Sequence, residues 1–198
     1  MDASPAEIRV VGCLVEKQRT TPDQYPLSLN ALRNACNQST SRDPVVSYDE
    51  AEIREALQEL SRRGWVRLAS GSGSRAVKYR HLFDEALHLS GEEIAVLAVL
   101  MLRGPQTLNE LRTRTERLHR FESTGELEEA LGSLVEREYL ERRPKQPGQK
   151  EERFAQLLGG EPAEAAREAP VAKTELEERV AQLEAEVAAL RRELDELG

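Results

Sequence analysis

One stretch limits what this chain can fold into. Residues 52–80 read EIREALQELSRRGWVRLASGSGSRAVKYR, and the same grammar returns over 126–154 as ELEEALGSLVEREYLERRPKQPGQKEERF. In the first copy Ile53, Ala56, Leu57 and Leu60 fall at i, i+3, i+4 and i+7, one apolar face of a helix. Gly64 follows the basic pair Arg62-Arg63 and marks the helix stop, with cations against the C-terminal dipole. Trp65-Val66-Arg67-Leu68 alternates as a strand does, Ser70 to Ser74 is turn material, and Ala76 to Tyr79 predicts the returning strand.

A helix that feeds a β-hairpin is the back half of a winged helix, and the front half needs two more helices upstream. Ser4-Pro5-Ala6-Glu7 combines an N-cap, a proline at N1 and an acid at N3; it opens a helix predicted to run to about Lys17. Ser28 caps a second helix through Leu29, Leu32 and Ala35. Asn37 to Val46 reads as a loop, and Ser47 to Glu50 as the capping box of the third helix. The second copy repeats this order. Ser90-Gly91-Glu92-Glu93 caps a helix over Ile94–Leu102, Gly104-Pro105 stops it, Thr107 to Arg112 matches Ser28 to Arg33, and Ser123 opens the helix of Leu127, Ala130, Leu131 and Leu134. Tyr139-Leu140 parallels Trp65-Val66, and Phe154 with Leu157-Leu158 parallels Tyr79 with Leu82-Phe83. Both first helices are apolar around most of their girth, so both are expected to be covered on more than one side.

The expected fold is therefore mainly α with small β-hairpins (α+β): tandem winged helix-turn-helix domains at 1–85 and 86–158. A Gly, Pro, Ala and Glu-rich flexible linker follows at 159–172, and a coiled-coil helix at 173–198. There Leu176, Leu183, Leu190 and Leu197 recur every seven residues, with Val180, Val187 and Leu194 at the alternate core position. Valine against leucine favours a parallel two-stranded coiled coil. Arg179 would face Glu184 of a second copy and Glu186 its Arg191, so a homodimer is self-consistent.

Composition narrows the function classes. Of 198 residues, 39% are hydrophobic and 32% charged, enough to fold most of the chain. Cys13 and Cys36 form no CxxC and no metal-ligand spacing, which predicts two free, buried thiols in a reducing compartment. The N-terminus lacks a basic-then-apolar leader, and the longest apolar run, Ile94–Leu102, is too short to span a bilayer. A cytoplasmic protein without membrane contact is expected. His81, His88 and His119 are scattered, and no P-loop, GxSxG or helix-leading GxGxxG is present. Neither an enzyme activity, a cofactor nor a metal is expected.

What remains is a grip on another macromolecule. The net charge of −8 is uneven. Residues 1–83 hold 12 Lys and Arg against 10 Asp and Glu, whereas 84–158 hold 11 against 15. Candidate contacts to double-stranded DNA are Arg75, Lys78 and Arg80 around the hairpin, Arg62, Arg63 and Arg67 close by, and Arg33 and Arg42 on the second helix and its following loop. Against this, Asp49, Glu50, Glu52 and Glu55 would repel phosphates if the third helix entered a groove. Two readings stay open: a dimeric DNA-associated regulator of transcription that uses the basic wing, and a protein-protein interaction scaffold that docks a protein partner without touching DNA. The turn-rich segment Thr20 to Pro26 is a candidate interaction loop through Thr20, Thr21, Asp23, Gln24 and Tyr25.

Several stretches also carry a family likeness: Glu16-Lys17-Gln18, TTPDQYPLSLNAL from Thr20, Asn34-Ala35-Cys36-Asn37-Gln38, GSGSRAVKY from Gly71, Arg103-Gly104-Pro105-Gln106-Thr107 and Glu110 to Thr115. On these the chain resembles the YceH-like family of uncharacterised bacterial proteins over roughly residues 4–158. The resemblance implies a tandem winged-helix fold. It implies no established activity, so no functional residues carry over.

Overall fold

Seven α-helices, six of them opened by a side-chain cap, and two small antiparallel sheets lie within residues 2–69, 77–145 and 151–159, which the computed structural model describes. The heptads of 173–198, the linker from residue 160 and Arg75 lie outside the described residues. The elements run α1 (Pro5–Thr20), β1 (Leu27–Ser28), α2 (Leu29–Cys36), α3 (Glu50–Arg62), β2 (Val66–Ala69), β3 (Lys78–His81), α4 (Phe83–Leu87), α5 (Gly91–Arg103), α6 (Leu108–Thr115), α7 (Thr124–Glu136), β4 (Leu140–Arg143) and β5 (Arg153–Gln156). The architecture is α+β, and no described helix is long and apolar enough to cross a membrane.

Three boundaries differ from expectation. Helix α1 continues a turn beyond Lys17, because the Thr20 and Thr21 hydroxyls donate to the carbonyls of Glu16 and Lys17 and close its end. The cap of α3 is Asp49, not Ser47. Asp49 accepts from the Glu52 N–H while Glu52 accepts from the Asp49 N–H, and Tyr48 just before it is held by paired bonds to the Asn37 side chain. The hairpin strands sit one to two residues later than the alternation predicts, at Val66–Ala69 and Lys78–His81. Helix α4 has no counterpart in the residue pattern.

The two halves reuse one set of contacts. The Ser4–Glu7 and Ser90–Glu93 capping boxes open α1 and α5. In each half the capping-box glutamate also takes an arginine from the end of the third helix: Arg63 to Glu7 at 3.0 Å, Arg137 to Glu93 at 3.1 Å. Each arginine bonds a backbone carbonyl two residues before the N-cap, Asp2 or His88, and lies over the aromatic ring that precedes the strand, Trp65 or Tyr139. The residue between takes positive φ, +74° at Gly64 and +57° at Glu138. The N–H of Trp65 returns to Leu60 and that of Tyr139 to Leu134. Where β1 pairs with β3 in the first half, Gln106 alone bridges Phe154 in the second.

Met1–Glu161 form one compact unit, with α1 lying against α5. Gly12 makes the approach possible: a Cβ there would meet Leu102 at 3.1 Å and Met101 at 3.2 Å. The backbone of Asp43 donates to the Leu102 carbonyl, and Ala3 bridges Gly159. One continuous core runs from Val11, Leu14 and Leu32 through Phe83 to Leu97, Leu100 and Leu131, as the all-round apolar character of the two helices requires.

Candidate functional site

The first sheet has the order β1-β3-β2, all antiparallel. Val66 lies opposite His81 and Leu68 opposite Tyr79, which also pairs with Leu27. Val66, His81 and Leu27 are buried, so this face turns inward at its base, while Leu68 toward its other end is exposed. By the two-residue period of a strand, Arg67 opposite Arg80, and Lys78 opposite Ala69 and Ser28, share the other face. Arg67 and Lys78 have no carboxylate in ion-pair reach among the described residues, and Arg80 has one, Glu85 at 3.1 Å. Like charges directly across a ladder repel, so this face is electrostatically incomplete. In the second sheet the positions equivalent to Arg67 and Arg80 are Glu141 and Ala155. Its own arginines are matched, Arg142 to Glu152, Arg143 to Glu141 and Arg153 to Glu110.

The structure thus gathers Arg67, Lys78 and Arg80 out of the eight candidate cations. Arg62 is exposed and paired to Glu59. Arg63 belongs to the internal contact set described above, and Arg33 is tied to Asn30 on its own helix. Arg42 is corrected outright. Rather than a solvated loop cation, its side chain has no exposed surface and binds Glu16 through two nitrogens. The carboxylates that seemed to repel DNA are also largely spoken for. Asp49 and Glu52 cap the helix, Glu50 is paired to Arg54, and only Glu55 lacks a partner among the described residues.

The segment Thr20 to Pro26 is mostly structural. Thr20 and Thr21 cap α1, and Pro22–Gln24 forms one 3₁₀ turn. The Tyr25 hydroxyl, its pKa pushed up to about 12 by burial, accepts from the His81 N–H at 2.8 Å. Asp23 and Gln24 alone of the five candidates are exposed. His81, set aside on sequence, is 3% exposed at the sheet base. Its Nε2 contacts Gln18 Oε1 at 2.7 Å and its Nδ1 accepts weakly from the Phe83 N–H. Burial first, opposed by Asp84 and aided by Arg19 and Arg80, lowers its pKa to about 4.

His119 also gains company that its sequence position did not reveal. Glu92 of α5 and Glu126 of α7 approach its Nε2 at 3.6 and 3.4 Å. The three come from separate segments, so no local spacing could have grouped them. The Ser90 hydroxyl, then the helix N-terminus and His119, hold the Glu92 carboxyl below its usual range, and Glu126 also accepts from the Glu122 N–H.

These observations define a class: an α+β protein in which a helical unit closed by a β-hairpin occurs twice, with Arg67, Lys78 and Arg80 gathered on one sheet face of the first copy. The chain belongs to the bacterial family described as "Protein of unknown function, DUF480", whose model matches residues 3–149. It is similar to a UPF0502 protein of Geotalea uraniireducens, 47% identical over 203 residues that cover 96% of this chain and 91% of that one. A UPF0502 protein of Serratia proteamaculans is 47% identical over 204 residues, 99% of this chain and 95% of the other. One of Shewanella loihica is 44% identical over 214 residues, 100% and 98% of the two chains.

Proposed function

We propose that the protein is a non-enzymatic, DNA-associated regulator built as a tandem winged helix, which grips duplex DNA through phosphate contacts from the outward face of β1-β3-β2. The register carries this reading. Arg67 and Arg80 stand opposite each other with Lys78 on the same face and one carboxylate between the three. A phosphate supplies the missing counter-charge, and a planar guanidinium suits it. Winged helices commonly set the hairpin against the backbone and the third helix in the groove. Helix α3 offers no excess of cations, so in this reading the sheet bears the contact. The heptads of 173–198 join two copies, which doubles a modest footprint.

The test is anisotropy titration of a labelled duplex over a salt series, with full-length wild type and an Arg67→Gln, Lys78→Gln, Arg80→Gln variant. Loss of three phosphate contacts makes the slope of log K against log salt shallower by about 2.7. Identical slopes would remove the sheet from the interface.

A second reading, a protein-docking scaffold, draws on two apolar side chains of this hairpin: Leu68 and Val77 are 58% and 60% exposed. Under that reading the wild type shows no salt-dependent DNA binding, and Leu68→Ser abolishes capture of a partner that the triple variant retains.

A further inference from the structure

In the second half an imidazole nitrogen and two carboxylates from three separate segments converge. Glu92 stands in the first turn of α5, His119 follows the end of α6, and Glu126 stands in the first turn of α7. His119 Nε2 lies 3.4 Å from Glu126 Oε1 and 3.6 Å from Glu92 Oε1. One ligand atom from each residue lies within 4.8 Å of the other two. All three side chains are partly exposed, so an ion reaches them from solvent.

Hydrogen bonding alone does not account for this arrangement. Both oxygens stand beyond the ordinary N–H···O range of about 2.7–3.2 Å. A proton on Nε2 can point at only one of them, and without it a lone pair faces two anionic oxygens. A divalent cation answers to all three atoms at once. Ligand atoms about 2.0–2.1 Å from a tetrahedral zinc ion stand about 3.3–3.4 Å from each other. The imidazole and the Glu126 oxygen already have that spacing, and Glu92 is close to it. The side chains are also held from behind, as ligands of a metal are. The Ser90 hydroxyl and the Glu92 N–H bond the Glu92 carboxylate. Glu126 turns its other oxygen to the Glu122 N–H at 2.6 Å. The His119 ring packs edge-on to Phe121, with centroids 4.8 Å apart, and its backbone N–H bonds the Thr115 carbonyl at 2.8 Å.

The repeat shows that Glu126 departs from the usual role of its position. The third-position glutamates of α1, α3, α5 and α6 each accept from the backbone N–H of their own N-cap. Glu126 holds the same position in α7, yet it bonds Glu122, one residue earlier, and presents Oε1 to His119. Aligning Ser4 with Ser90 puts Ala6 where Glu92 stands, so the first copy has no carboxylate there.

We propose that Glu92, His119 and Glu126 bind one zinc-type divalent ion, through His119 Nε2 and one oxygen of each carboxylate, with water as fourth ligand. An imidazole among the donors suits zinc, whereas magnesium and calcium take oxygen donors. Two carboxylates and a neutral imidazole balance the two charges of the ion. Arg19 is the cation that bears on Glu92 from α1. Bound there, the ion ties the start of α5, the α6–α7 connection and the start of α7 together, and it stabilises the folded chain by mass action.

The test uses full-length protein stripped of metal, zinc chloride competed against a chromophoric chelator, and cobalt as a spectroscopic stand-in. The expected result is one zinc per chain, a melting temperature raised by zinc but not by magnesium, and the intense visible absorption of four-coordinate cobalt without a thiolate charge-transfer band. Glu92→Gln and Glu126→Gln keep an oxygen for Ser90 and for Glu122, and circular dichroism checks their fold. Each loses a ligand and weakens zinc binding by at least about a hundredfold, the upper range for loss of a mere outer partner. His119→Gln abolishes the cobalt absorption. The proposal is overturned if the stripped wild type takes no zinc from a chelator of about micromolar affinity, or if the three variants bind zinc as wild type does. It is equally overturned if cobalt shows only the weak absorption of a six-coordinate ion, or if a thiolate band places the ion on the buried Cys13 or Cys36.

Discussion

His81 ties the wing to α1 and makes the fold sensitive to acid in a calculable way. Neutral imidazole with the proton on Nε2 satisfies its surroundings, donating to Gln18 and accepting from the Phe83 N–H on Nδ1. A second proton on Nδ1 would face that N–H, with the partly exposed Asp84 at 3.4 Å as the only nearby compensation. The folded-state pKa of about 4 lies below the unfolded value of 6.5, so between those limits the unfolded chain binds more protons. The contribution is fully present above about pH 6.5 and is lost as pH falls toward 4. The linkage integral from about pH 8 to pH 5 comes to about 2 kcal/mol, and the full loss to about 3 kcal/mol. His81→Gln keeps a donor for Gln18 and cannot titrate. Urea unfolding at a series of pH values should show wild type losing about 2 kcal/mol more than His81→Gln between pH 8 and pH 5, before most carboxylates protonate. Parallel curves for the two proteins would refute the reasoning, as would an NMR titration of the His81 ring with a midpoint near 6.5.

Two glycines test the contact between α1 and α5. A Cβ added at Gly132 in α7 would meet nothing within 4 Å, so Gly132→Ala should stabilise by about 1 kcal/mol through helix propensity alone. Gly12→Ala makes the same change where Leu102 and Met101 stand at 3.1 and 3.2 Å. It should gain nothing or destabilise, and equal gains by thermal melting would mean a looser approach than described. For the heptads, sedimentation of the full chain against a chain truncated after Gly160 should give a dimer and a monomer; equal protomer counts would dismiss the coiled coil.

Local chemistry was open to reading from the sequence wherever the cause is local. The capping boxes at Ser4 and Ser90, the stops at Gly64 and Gly104, and the core stripes Ile53–Leu60 and Leu127–Leu134 depend on neighbours a turn away, and they stand where the residue pattern put them. The repeat was legible for the same reason, since it is the same local pattern written twice. The cap of α3 was misplaced because both Ser47 and Asp49 can cap, and only the Asn37–Tyr48 bonds decide between them.

Everything that pairs distant residues had to wait for the tertiary structure. A row of arginines in sequence has one sign of charge, but register alone sets Arg67 against Arg80 on one face, and only long-range packing draws Arg42 inward to Glu16 and Cys13. Residue pattern alone foretold most of the elements, their order and the family likeness, but not α4. The fold decided which charges meet solvent and which meet each other, because an ion's worth depends on its burial and its partners, and neither is written in the order of the chain.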